Sequence, residues 1–204
     1  HRKTEKTNQT MKLKTISQKL KGNPSMTEGT VYSMLVICGI SHFLNDMIQS
    51  IIPSIYPILK ANFDFSFAQI GIITLVFQMT SSILQPFTGL YADRHPRPYA
   101  LSVGMCFTLT GLLLLAFAII YLAILIAVSI VGFGSSVFHP TASRVTQMAS
   151  AQEESGAIDI QVGGNGGSAL GPLLAAIIIL HYGQLSFSWF ALAALLAALI
   201  MIRL

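Results

Sequence analysis

A chain of 204 residues that is 53% hydrophobic and only 10% charged, with a mean hydropathy of +0.67, is too apolar for an ordinary soluble domain, where about a quarter of residues carry charge. Its net charge of +4 gathers at one end, and its two cysteines, Cys38 and Cys106, both fall in apolar runs, so neither a disulfide framework nor a thiolate metal site is expected. There is no Walker-type phosphate loop, no run of His, Cys, Asp or Glu at metal-ligand spacing, and no recurring nucleophile, base and orienting group. An ATP-driven pump, a metalloenzyme and covalent catalysis are therefore disfavoured, and neither catalytic residues nor a metal are expected.

Residues 1–30 form a basic tail carrying Arg2, Lys3, Lys6, Lys12, Lys14, Lys19 and Lys21. It has no interleaved aromatics and leads straight into an apolar run, which favours a topogenic or anionic-lipid role over binding of nucleic acid. The apolar segment that follows is too long for a cleavable signal peptide and lacks a small-residue cleavage site. Six segments near the roughly 20 residues needed to cross the hydrocarbon then appear, at about 31–57, 67–90, 99–120, 121–143, 156–180 and 185–204. The third and fourth come from one continuous apolar stretch too long for a single span, so a short turn is expected near Ile120.

The first span carries the most informative residue. Asp46 lies inside it with His42, Asn45 and Gln49 at i−4, i−1 and i+3, which puts one polar stripe on an otherwise lipid-compatible helix. An acid near the bilayer centre costs about 2.5 to 3.5 kcal/mol on insertion scales, so it should face a cavity or a partner. At about 1.5 Å per residue, Asp46 lies near the midplane, and Gln78 on the second span reaches a similar level. Lysine and arginine place the tail, the second and fourth loops and the C-terminal end in the cytoplasm, with Lys60 on the other side. His139 and Arg144 then fall near the cytoplasmic end of the fourth span and Asp159 near the cytoplasmic start of the fifth, where Arg144 and Asp159 could pair as a gate. The fifth span sets Gly163, Gly167 and Gly171 on one nearly bare face beside Pro172, which allows another helix to approach closely.

The second loop reads Gly89-Leu-Tyr-Ala-Asp93-Arg94-His-Pro-Arg97-Pro. It resembles the signature loop of the major facilitator superfamily, although Pro96 stands where the family has glycine and Pro98 where it has a basic residue. The resemblance implies that Gly89, Asp93, Arg94 and Arg97 belong to a cytoplasmic latch. Gly167-Ser-Ala-Leu-Gly171-Pro172 is similar to the fifth-helix motif of the superfamily's antiporters. Together with Ser41-His42-Phe-Leu-Asn45-Asp46, Gly132-Phe-Gly134 through Phe138-His139-Pro140, and Gln161-Val-Gly-Gly-Asn165-Gly, it resembles the fosmidomycin resistance branch. Many drug exporters carry an arginine where this chain has Val128, so that relay group is missing here.

The resemblance implies an all-α membrane fold of twelve helices in two halves, each built of two inverted three-helix repeats. This chain would supply the N-terminal half and a C-terminal six-helix half the other cavity wall. It also implies a multi-pass inner-membrane exporter of a small drug such as fosmidomycin, driven by the proton gradient with no cofactor, Asp46, His42, Asn45, Gln49, Gln78 and Asn165 lining its cavity. Uptake or exchange of a small organic anion on the same fold stays open, as does a non-transporting structural membrane protein. The expected partners are a small-molecule substrate and the lipid bilayer, not nucleic acid.

Overall fold

Inside hydrocarbon a backbone finds no water to bond, so each apolar segment must satisfy its own polar groups as a helix. The computed structural model describes residues 28–95, 99–150 and 156–202. Six long helices run through them: α1 (Glu28–Ser54), α2 (Phe67–Arg94), α3 (Ala100–Ala116), α4 (Tyr121–Ser150), α5 (Gly156–Leu174) and α6 (Phe187–Met201). Five stretches are long and apolar enough to cross a membrane, and α3 is a shorter apolar helix of 17 residues. The basic tail through residue 27, and with it most of the topogenic charge, lies outside the described residues.

The connections follow local chemistry. Pro57 opens a short helix, Tyr56–Phe63, which stops at Asp64 in the left-handed region, φ 52°. Ser66 then caps α2: its hydroxyl accepts from the Gln69 N–H at 3.3 Å while the Gln69 carboxamide oxygen accepts from the Ser66 N–H at 2.9 Å. Between α3 and α4 the chain turns over residues 117–120. α4 continues through Arg144 to Ser150, beyond the expected end at 143. In α5, Pro172 cannot donate the bond that the Ser168 carbonyl would take in a regular helix, and the chain widens into a π-turn at Ala175–Ile179.

Packing joins α1 to α5, α2 to α4, α4 to α3 and α3 to α6. Exchanging the first three helices with the last three maps the α1–α5 pair onto the α4–α2 pair, as two related three-helix repeats require. Without a hydrophobic force between helices in lipid, close packing has to hold such pairs together. Glycines supply it: an added Cβ on Gly163 would lie 2.8 Å from the Gly39 carbonyl oxygen, and one on Gly134 2.6 Å from the Gly104 carbonyl oxygen. Large side chains such as Phe87, Leu122 and Leu192 point outward, where a bilayer would meet them.

Candidate functional site

α1 carries its polar side chains on one face over about two to three turns, Ser41 to Ser50, and that face meets α4 and α5. His42 Nε2 lies 3.2 Å from Asp46 Oδ2, an i,i+4 pair that needs no help from elsewhere in the fold. Asn45, fully buried, donates its side-chain amide to Asp46 Oδ1 at 3.1 Å. Across the helix boundary, His139 Nε2 comes within 3.8 Å of Asp46 Oδ1 and lies 3.1 Å from Gln49 Nε2. The Gln49 carboxamide oxygen in turn accepts from Ser135 Oγ at 3.0 Å. With the Gln49 amide turned this way, its Nε2 donates to His139 Nε2, so Gln49 joins Ser135 to the imidazole.

The cluster is sheltered but open. Asp46 keeps 17% of its side-chain surface and His42 14%, enough contact with a cavity to exchange a proton yet too little to hold an unpaired charge cheaply. The cavity measures about 270 Å³ and is lined by Asp46, Gln49, Ser50, His139 and Ser168, from α1, α4 and α5. Gly164 makes the space behind the pair: a Cβ there would sit 2.7 Å from both Asp46 Oδ2 and His42 Nε2. Three buried polar atoms on this stretch, Ser41 Oγ, His42 Nδ1 and Asn45 Oδ1, have no hydrogen-bond partner. A polar face so poorly satisfied within the bundle is built for something besides stability.

Several residues stand elsewhere than the sequence suggested. His139, expected with the cytoplasmic gate, joins Asp46 and Gln49 instead, because α4 does not end near residue 143 but carries His139 well inside the helix. Gln78 lies on an exposed face of α2, its Oε1 3.4 Å from Ser81 Oγ, away from Asp46, because α2 packs along α4 and not along α1. Asn165 is exposed on α5. Arg144 turns to α2, donating to the Ala92 carbonyl at 2.6 Å and approaching Asp93 Oδ1 at 3.4 Å; the side chain of Asp159, its expected partner, lies outside the described residues. Arg94 is exposed and Arg97 lies outside the described residues. Gly89 meets Pro140, 3.4 Å from an added Cβ, where α2 and α4 come together.

Gly163, Gly167 and Gly171 face α1 at Gly39, Phe43 and Met47, while Pro172 is exposed. Ser135 and Gly164 were missed in the sequence. Ser135 sits four residues before His139, the spacing of one helix face, which was the available signal.

The family model described as Major Facilitator Superfamily matches residues 38–204, from the first turns of the Asp46 helix onward. The chain belongs to the major facilitator superfamily. Among curated members, the Fosmidomycin resistance protein of Escherichia coli (strain K12) is 54% identical over 173 residues, 84% of this chain and 43% of that protein. An uncharacterized MFS-type transporter of Bacillus subtilis (strain 168), YfnC, is 46% identical over 171 residues, 83% of this chain and 42% of that protein. The chain thus spans somewhat less than half the length of both relatives. As a superfamily member it is a multi-pass membrane protein of a transporter family, and its six helices fit the N-terminal half of the superfamily fold.

Proposed function

We propose that this chain forms one wall of a proton-coupled transporter that exports a small drug such as fosmidomycin by alternating access. One observation carries the reading: a carboxylate inside a membrane-crossing helix, held between two histidines from different helices and open to a cavity. An ionisable group placed so deep is retained at a cost and marks an ion path. The similarity to a fosmidomycin resistance protein supplies the drug.

In this reading Asp46 takes a proton from the outer side and yields it to the cytoplasm. His42 Nε2 and the Asn45 amide hold the carboxylate while it is charged, and protonation frees those donors. His139 is the next proton position, 3.8 Å from Asp46 Oδ1, and the Ser135–Gln49 pair holds its ring in place. A second six-helix half closes the cavity, so that rocking of the halves exposes Asp46 to one side at a time. The superfamily loop supplies the cytoplasmic stop, where Arg144 grips the end of α2 through Ala92 and Asp93. The basic tail fixes the N-terminus in the cytoplasm, with the protein in the inner membrane.

The test uses the full-length protein in everted vesicles with an acid interior, following internal pH as fosmidomycin is added outside. Drug-driven alkalinisation that disappears in a folded Asp46→Asn variant supports the reading. A proton flux driven by an organic anion loaded inside, with none from added drug, would replace export by uptake. The imidazole and amide donors of the cluster suit an anion equally well.

A further inference from the structure

The groups gathered around Asp46 have a second chemistry. Two imidazole nitrogens and one carboxylate oxygen, from His42, His139 and Asp46, all lie within 4.8 Å of one another. We propose that this trio binds a borderline divalent metal ion, best matched by Zn²⁺, entering from the cavity. The inference goes beyond proton coupling and does not require it.

The donor set selects the ion. Three nitrogen and oxygen ligands with one side open are the pattern of zinc sites that keep a position for water or a small ligand. Calcium and magnesium want six or more oxygens, and one carboxylate cannot supply them. Spacing agrees: two ligands about 2.0 to 2.1 Å from a tetrahedral zinc are about 3.3 Å apart. His42 Nε2 is 3.2 Å from Asp46 Oδ2 and His139 Nε2 is 3.8 Å from Asp46 Oδ1, so the two imidazoles flank the two oxygens of one carboxylate and a shared ion draws them together by rotation of these side chains.

Position agrees as well. His42 and Asp46 share one face of α1 at i,i+4, and the missing side chain at Gly164 gives both room against α5. His139 Nε2, the nitrogen a metal would take, lies 3.1 Å from Gln49 Nε2, so Gln49 is the group to be displaced. The open side is the cavity itself, where Ser50, Ser168 and the freed Gln49 amide can bond a metal-bound water. One element is missing: His42 Nδ1 has no partner, whereas a ligating histidine ordinarily donates from its other nitrogen. The site is accordingly weaker, by about 10- to 100-fold, than one with a complete outer shell.

A metal here and a proton on Asp46 exclude each other, because both use the same oxygens. The test reads binding alone, on full-length protein purified without a histidine tag and held in lipid nanodiscs. Co²⁺ titrated into it is expected to give the visible bands of a four-coordinate site at one equivalent, and Zn²⁺ to abolish them. His42→Gln, His139→Gln and Asp46→Asn, each checked for folding by thermal unfolding, should each weaken Co²⁺ binding by about tenfold or more. A His95→Gln, His181→Gln double variant, which alters two exposed histidines outside the cluster, should bind as the parent does. Absence of the bands, or bands that persist unchanged in the cluster variants and vanish in the double variant, overturns the proposal. Normal Co²⁺ binding in a protein that moves no protons leaves the metal site standing and removes the proton-coupled reading instead.

Discussion

Two neighbouring glycines on α5 should respond in opposite ways to the same added methyl group. A Cβ on Gly167 would lie 2.9 Å from the Phe43 carbonyl carbon and 3.0 Å from the Met47 nitrogen, with the Phe43 oxygen closer still. These are backbone atoms of α1, which no rotamer change can move aside. Ordinary carbon contacts begin near 3.5 Å, so with the Phe43 oxygen closest of all α1 and α5 must separate by about 1 Å. Overpacking of that kind costs about 1 to 3 kcal/mol. On Gly166 the same Cβ would meet the Phe43 ring at 3.6 and 3.7 Å, an ordinary contact. Both substitutions gain the same helix propensity, about 0.8 to 1 kcal/mol in water, so the difference between them isolates the clash. Gly166→Ala should be neutral or stabilising, and Gly167→Ala should lie about 1 to 3 kcal/mol below it. The assay is reversible unfolding of the full-length protein in mixed detergent micelles, followed by helix circular dichroism. Equal midpoints for the two variants would refute the close α1–α5 seam and the packing derived from it.

Two further changes probe the ends of the α2–α4 pair. Arg144→Gln removes a charged bond to the Ala92 carbonyl at the end of α2, and because the side chain is 36% exposed the loss should be about 1 kcal/mol in the same unfolding assay, not more. If Arg144 also serves the cytoplasmic stop, the variant should leak protons without drug in vesicles while remaining folded. At the opposite end Tyr121→Phe keeps its ring against Phe65 but loses the hydroxyl bond to the Gln69 carbonyl at 2.9 Å, which should cost about 1 kcal/mol and leave proton movement unchanged.

The six-helix fold and the polar stripe of α1 were legible in the sequence because both rest on local periodicity. Apolar length marks a helix, and i,i+3 and i,i+4 spacing marks a face. The turn expected near Ile120 corresponds to a break over residues 117–120. What could not be read were meetings across the fold. Gln49 and His139 are 90 residues apart, and Arg144 and Asp93 are 51 apart. The misplaced His139 has a definite cause. The stretch from Arg144 to Ser150 is polar enough to resemble a loop, yet it continues α4, so a residue judged to lie at a helix end lies in its body. The role of Gly164 is hidden for a related reason: the 163, 167, 171 stripe announces helix packing, whereas the room Gly164 leaves for His42 and Asp46 depends on how α1 is rotated.

Proton release on drug binding tests most directly whether Asp46 ties the two together. Purified full-length protein in weakly buffered detergent solution would receive fosmidomycin while a pH dye reports protons released, with binding measured in parallel. Export by exchange predicts release on binding in the parent protein and none in Asp46→Asn. Drug binding with no proton release, or release undiminished in Asp46→Asn, would contradict it.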